Sequence, residues 1–597
     1  MGIPHLISYL QPYAVGKSLN TQQIVLDGPA FAYHVFYLSL GGRQAARNPF
    51  EGAPTYLELG ELAIAWLDAM IESGATITKI YFDGFLPATK FDTRSQRMAS
   101  YTNQVIVYNQ IHTEIPFRNL PRKEPQLFSG PTVRTNFAKL PAVPFLVPAV
   151  LEALLNCERY RDITEVVPGE ADLYCARYLE QHGGTVITGD SDLLIHNLGS
   201  DGAVSFFKEI EVKSDGKNEL LYFQVYHPAA IAERLSLPSS HGLQSLAFEI
   251  VMDPHASFRK VVQNALILKS VKEHKNMYKD FIQEYTPSGI SVVDPHVGVR
   301  SILKELDPRI SEFVLQFRFY SEIAGRPLSS IEENAKDIHV FLPFLLDCPV
   351  RTNAWEISTA TRQLAYGLIN ASLPRQQTFT VFEHRRQQKE STGRELSVPE
   401  CSELDEACLT VIRLIERLES KIPKLSGFDK WLAMAVYQDL DLAASYGKVA
   451  LSRGLVQMYK KQSFAHDGTL SWDSLHFLAQ IQGSYYSFRM VKQLLRLVLS
   501  CSNSASMPES FRKLLRKFEE LSPMSEVQDQ RQYPTILQTI SENNLITILE
   551  ALLGIIKAPI SKESKKEREK RKRDQGEPGL LAPRRKSTNP FAILEDE

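Results

Sequence analysis

Acidic residues recur where three short apolar runs end. Ile24-Val25-Leu26 stops at Asp27, Ile80-Tyr81-Phe82 at Asp83, and Val186-Ile187-Thr188-Gly189 at Asp190-Ser191-Asp192. A fourth cluster, Pro168-Gly169-Glu170-Ala171-Asp172, precedes the last run by the length of one helix. If the three runs are parallel strands, their carboxyl ends gather at one sheet edge. Asp27, Asp83, Glu170, Asp172, Asp190 and Asp192 then share a small volume, and carboxylates that close repel one another unless a cation lies between them. Oxygen-only ligands select magnesium or manganese over zinc. Two such ions about 4 Å apart can activate a water and compensate the leaving oxygen in phosphodiester hydrolysis. Each acid also has a structural reading. Aspartate is a common turn residue after a strand, and Asp or Glu in a first helical turn is ordinary capping.

The elements that must hold these acids alternate. Residues 24–26, 80–82, 186–188 and 220–225 read as strands. Residues 56–73, 148–155 and 171–182 read as helices, the first with Leu59, Leu62, Ala63, Trp66, Leu67 and Met70 on one stripe. This rhythm predicts an α/β domain with a mainly parallel twisted sheet flanked by helices over residues 1–260. The rhythm breaks at about 86–147, a stretch rich in proline and basic residues (Arg94, Arg97, Arg118, Arg122, Lys123, Arg134, Lys139) that reads as a basic insertion or lid. Strand signals fade after residue 260. Residues 261–557 read as a large α-helical domain, with helices at 300–306, 310–323, 404–418, 431–444, 475–499, 511–521 and 536–556 and a polar loop near 383–400. Residues 558–597 form a basic low-complexity tail of the kind that stays disordered, with Lys562–Arg573 and Arg584–Lys586 as a nuclear-import or phosphate-binding pattern.

With 67 basic and 69 acidic residues the net charge is −2, so no global field draws the chain to nucleic acid and any such contact rests on local patches. The six cysteines include no CxxC pair, which argues against a zinc knuckle or disulfide framework and fits a reduced compartment. The first residues lack a signal-peptide pattern, and no apolar run has membrane-spanning length. Together with the basic tail, this predicts a nuclear protein, with a cytoplasmic location also compatible, and no membrane partner. Phe206-Phe207 and Tyr485-Tyr486 read as core pairs in preference to base-stacking platforms.

The ordered set Met1-Gly2-Ile3, Val25-Leu26-Asp27-Gly28, Phe82-Asp83-Gly84, Pro168-Gly169-Glu170-Ala171-Asp172 and Gly189-Asp190-Ser191-Asp192 resembles the flap-endonuclease (XPG-like) nuclease superfamily. Asp27-Gly28-Pro29-Ala30-Phe31-Ala32-Tyr33-His34 and Met252-Asp253-Pro254-His255 are similar to its asteroid branch. The resemblance covers roughly residues 1–260. It implies a PIN-like core that hydrolyses DNA phosphodiesters with two magnesium ions, for which manganese can substitute. By that resemblance Asp27, Asp83, Glu170, Asp172, Asp190 and Asp192 are metal ligands, and Asp253 matches the last acid of the metal set. Lys90 and Arg97 match a catalytic basic pair, and their spacing of seven puts both on one face if a single helix carries them. Gly2, Lys90, Arg94 and Arg97 would contact the nucleic acid.

Two departures from the family pattern matter. Asp172 replaces the usual glutamate and is one methylene shorter, which weakens metal binding without excluding it. No Gly-Ile-Gly hairpin for gripping duplex phosphates follows Asp253; Pro254-His255-Ala256-Ser257 stands there instead. The expected activity is therefore a metal-dependent, structure-selective endonuclease on single-stranded or branched DNA, with a role in DNA repair. RNA is a second candidate partner, and the helical region a candidate protein-binding surface. The competing expectation is a non-catalytic XPG-like scaffold in RNA or translation regulation.

Overall fold

In the computed structural model, the residues described are 3–555 apart from 44, 122, 129–138, 216–217, 286–296, 327–335, 388–390, 424, 426, 462–467 and 502–506. Gly2, Arg122, Arg134 and the basic tail lie outside them.

The core is a five-stranded, all-parallel sheet. Its strands are β1 (Gln23–Asp27), β2 (Thr76–Asp83), β3 (Thr164–Val167), β4 (Gly184–Thr188) and β5 (Gly202–Phe206), in spatial order β3-β2-β1-β4-β5. The chain builds outward from β1 through β2 to β3, then returns to the other side of β1 with β4. The carboxyl ends beside such a reversal form the natural crevice of an open α/β sheet. The strands are apolar on both faces, as a covered parallel sheet requires. Val25, Tyr81, Val186 and Val204 join one core with the inward face of α5. Side-chain alternation turns Leu26, Ile80 and Ile187 to the other face.

The flanking helices are α1 (Gly28–Gly41), α2 (Tyr56–Glu72), α3 (Phe91–Ile111), α4 (Leu146–Asn156) and α5 (Ala171–His182). Each start has a local cause. Asp27 caps α1, its Oδ1 accepting from the Ala30 N–H at 3.2 Å, with Pro29 in the first turn where its missing N–H costs nothing. Thr55 and Glu58 form a capping box on α2. The stretch read as a basic insertion at 86–147 contains the 21-residue helix α3, followed by the strand Glu114–Pro116. Residues 220–225 are strand as expected, in a separate antiparallel sheet (Val15–Ser18, Asn218–Val225, Ile210–Asp215).

Helices dominate after residue 260, yet strands do not end there. Asp337–Phe341 and Thr380–His384 pair in parallel, and Arg394–Leu396 adds antiparallel. The expected polar loop near 383–400 therefore begins inside a strand. Its charges misled the reading: Glu383 is fully buried against Arg362, Nε–Oε1 2.5 Å and Nη2–Oε2 2.9 Å. The single helix expected at 310–323 is two, α6 (Pro308–Val314) and α7 (Arg318–Ala324), and 536–556 also divides, at Asn543 and Asn544. The longest helix, α8 (Trp472–Leu499), packs on both halves of the chain: Arg489 pairs with Glu152 of α4 and with Asp307. Residues Met1–Leu549 form one compact unit and Glu550–Glu597 a second.

Candidate metal and phosphate site

Asp27 ends β1, Asp83 ends β2 and Asp190 follows β4 by two residues, so the three acids stand on three adjacent strands. Adjacent strands lie about 4.8 Å apart. By alternation Asp27 and Asp83 share the sheet face on which α5 packs, and α5 presents Asp172 from its first turn. Glycines allow the close approach. A Cβ on Gly28 would meet the Tyr81 carbonyl oxygen at 2.6 Å and the Phe82 ring at 2.8 Å. A Cβ on Gly84 would meet the Val167 carbonyl oxygen at 2.2 Å and Ser311 Oγ at 2.7 Å. The Gly169 carbonyl oxygen accepts from the N–H groups of Gly84 and Phe85, at 3.1 and 3.3 Å, tying the loop before α5 to the end of β2.

The acids are held by short local bonds. Asp83 Oδ1 accepts from the Ala171 N–H at 2.7 Å and so caps α5 from another strand, at the positive end of that helix. Asp27 Oδ2 accepts from Thr188 Oγ1 at 2.6 Å, and the same hydroxyl accepts from the Asp190 N–H at 3.0 Å. Asp190 Oδ1 accepts from the Asp192 N–H at 3.3 Å, and Asp192 Oδ1 from the Ile3 N–H at 3.1 Å. Thr188 and Ile3 escaped the sequence reading because neither carries a charge, although Thr188 lies within the strand-end motif itself.

The charges of the neighbouring carboxylates act on Asp27 and Asp172. Burial, aided by the charges of Asp83 and Asp190, pushes the Asp27 carboxyl up to about 7. Asp172 is held well above the carboxylate range, by burial first and then by Asp27, Asp83, Asp190 and Glu170. Burial raises Asp83 against the opposing pull of the Ala171 N–H and the Arg309 guanidinium. Asp192 is raised to about 6 by burial and Asp190. A buried all-oxygen set in mutual repulsion has the chemistry of a magnesium or manganese site. As the side chains stand, among the described residues no three His, Cys, Asp or Glu side chains are grouped to hold a metal ion.

The basic residues divide by role. Lys90 closes the 3₁₀ turn Ala88–Lys90 ahead of α3 instead of lying within it, and its Nζ stands 3.7 Å from Glu170 Oε1. Arg97 lies in α3 and lines a cleft of about 1310 Å³, mouth included, together with Tyr33, Asp83, Arg94, Tyr101 and Arg309. Arg94 forms a two-pronged ion pair with Glu312, Nη2–Oε2 2.8 Å, and stacks 3.8 Å over the Phe341 ring, so its charge is already engaged. Asp253 caps the end of the helix Gly242–Met252, and its half-exposed carboxylate pairs with Lys260 at 2.9 Å. Residues 253–257 do join two helices, Gly242–Met252 and Phe258–Ile267, without glycine. The aromatic pairs Phe206-Phe207 and Tyr485-Tyr486 are buried.

No curated protein matches the chain. Among the described residues no helix is long and apolar enough to cross a membrane. Residues 142–398, less than half of the chain, match the family described as XPG domain containing. The matched segment carries Glu170, Asp172, Asp190 and Asp192, while Asp27, Asp83, Lys90 and Arg97 precede it. Over those residues the match supports an XPG-like domain.

Proposed function

We propose that the chain is a magnesium-dependent endonuclease of the asteroid type, acting on DNA with single-stranded or branched character. The observation that carries this reading is the meeting of Asp27, Asp83, Asp172 and Asp190 at one sheet edge, where hydrogen bonds tie Asp83 to the start of α5 and Asp27 to Asp190 through Thr188, and where the neighbouring acids raise the proton affinity of Asp27 and Asp172. Asp27, Asp83, Glu170, Asp172, Asp190 and Asp192 would hold the ions. Bound magnesium supplies a water of lowered pKa and charge compensation at the leaving oxygen. Lys90 and Arg97 would hold the scissile phosphate against the acids, and Thr188 would fix Asp27 and Asp190 in register. Work in DNA repair and a nuclear location fit this activity and the basic tail.

The test is cleavage of flap, bubble, hairpin and single-stranded substrates, DNA and RNA, with magnesium. Activity should vanish in Asp190→Ala and Glu170→Ala; robust cutting by both variants would overturn the reading. A scaffold is the second reading, favoured by the lack of a ready-grouped ligand trio among the described residues. It predicts a melting temperature indifferent to magnesium.

A further inference from the structure

The cleft beside Asp83 has a wall the acidic motifs do not predict. Helix α6 is docked against the end of β2, with Ser311 packed where a Gly84 side chain would be. This docking brings Arg309 into the cleft with Asp83, Arg97 and Tyr33. The three cleft arginines differ in what they can still bind. Glu312 takes both prongs of Arg94 and is itself buried, whereas Arg309 reaches it through Nη1 alone, at 3.2 Å. The Arg309 side chain is 37% exposed, against 12% for Arg94. A guanidinium has five N–H donors in a fixed fork, so one bond to Glu312 leaves the other edge able to take two phosphate oxygens. Its charge reaches Asp83 and Tyr33, lowering the proton affinity of each.

We propose that Arg309, contributed by the region after residue 260, binds a backbone phosphate of single-stranded nucleic acid in the cleft beside Asp83, opposite Arg97. This rests on the nuclease reading, since it assigns a contact for the substrate of that site. Glu312 is then a positioning residue that aims Arg309 while holding Arg94. The helical half of the chain thereby supplies part of the substrate grip, in a chain that lacks the Gly-Ile-Gly hairpin.

The experiment is fluorescence anisotropy of a labelled oligothymidylate with the full chain in EDTA, over a range of salt. Arg309→Gln should weaken binding roughly tenfold, the order of one charge-assisted contact. It should also flatten the plot of log affinity against log salt by about 0.7, the value for one phosphate on a single strand. Arg309→Lys should restore most of the salt slope and only part of the affinity. Arg413→Gln, which removes an exposed arginine paired with Glu406, should change neither. Unchanged affinity and slope in Arg309→Gln, or an equal loss in Arg413→Gln, overturns the assignment while leaving the nuclease reading intact. Failure of the wild-type chain to bind any oligonucleotide overturns both. Wild-type binding that depends on Arg309, with no cleavage when magnesium replaces EDTA, overturns only the nuclease reading.

Discussion

The Trp472 indole N–H donates to the His112 carbonyl oxygen at 2.6 Å, joining the end of α3 to the start of α8. It is one of several ties on the helix that carries Arg97. Glu114–Pro116 pairs with Thr469–Ser471, and Met98, Val105 and Tyr108 share a core with Phe341, Phe344, Leu470 and Trp472. Arg94 and Glu312 fasten the other end. The basic helix is thus ordered by the helical half before any substrate arrives. Trp472→Phe removes the donor and part of the ring. It should lower stability by about 1–3 kcal/mol and speed amide hydrogen exchange selectively over residues 91–116, measured on the free protein. Uniform exchange changes across the chain would contradict this local role.

Repulsion among the site acids is a cost the metal-free protein carries. The carboxyl of Asp172 is raised by burial and by four neighbouring acids. Asp172→Asn should therefore raise the melting temperature of the metal-free protein, by about 1 °C for each kcal/mol relieved. The same substitution should abolish or shrink the stabilisation that magnesium gives the wild type. Scanning calorimetry with EDTA and with magnesium reads both effects. A variant less stable than wild type in EDTA would show that Asp172 has an attractive partner instead.

The acidic constellation was legible because strand-end acids and a helix-start pair occupy positions that chain topology alone brings together. Asp83 on β2 and Ala171 at the start of α5 meet across 88 residues, as the parallel sheet requires. Arg309 was not legible, because nothing local distinguishes an arginine after Asp307-Pro308 from a surface charge; only the docking of α6 on Gly84 places it. Glu383, His384 and Arg385 read as a polar loop because composition cannot tell a solvated charge from one buried in a pair. Asp253 followed a resemblance in type, and it stands at the end of a helix, paired with Lys260.

Gly84 offers a direct test of the docking at the end of β2. Gly84→Ala drives a methyl into the Val167 carbonyl oxygen and Ser311 Oγ, and backbone cannot yield cheaply. The expected loss is about 3 kcal/mol, with the site displaced and magnesium stabilisation reduced. Gly454→Ala, in the helix Leu451–Lys461 with nothing within 4 Å of the new methyl, should instead gain about 0.5–1 kcal/mol. Chemical denaturation of the two variants should therefore give shifts of opposite sign.

Buried Glu383 makes the Arg362 pair sensitive to the loss of one partner. Arg362→Met leaves the Glu383 carboxylate with the Tyr366 hydroxyl, at 2.9 Å, and the more distant charge of Arg385. The expected cost is about 3–5 kcal/mol. Adding Glu383→Gln to Arg362→Met removes the stranded charge and should recover part of the loss. A double variant as unstable as the single one would mean that packing, and not the stranded charge, sets the cost.

His476 should make the fold sensitive to acid. Its Nδ1 accepts from the Cys348 N–H at 3.3 Å, so the buried ring is held neutral. Burial, with Arg351 and Arg386 nearby, depresses it to about 3 from an ordinary 6.5. The unfolded chain then takes up a proton below pH 6.5 that the folded chain refuses until about pH 3. The group's contribution is complete above pH 6.5 and is lost as pH falls toward 3, with a slope of at most about 1.4 kcal/mol per pH unit. His476→Asn keeps an acceptor without a titrating ring. It should be less stable than wild type at pH 7.5, and the gap should narrow steadily between pH 6.5 and 4.5 in urea unfolding. A gap constant with pH would mean that the ring takes up its proton equally well in both states.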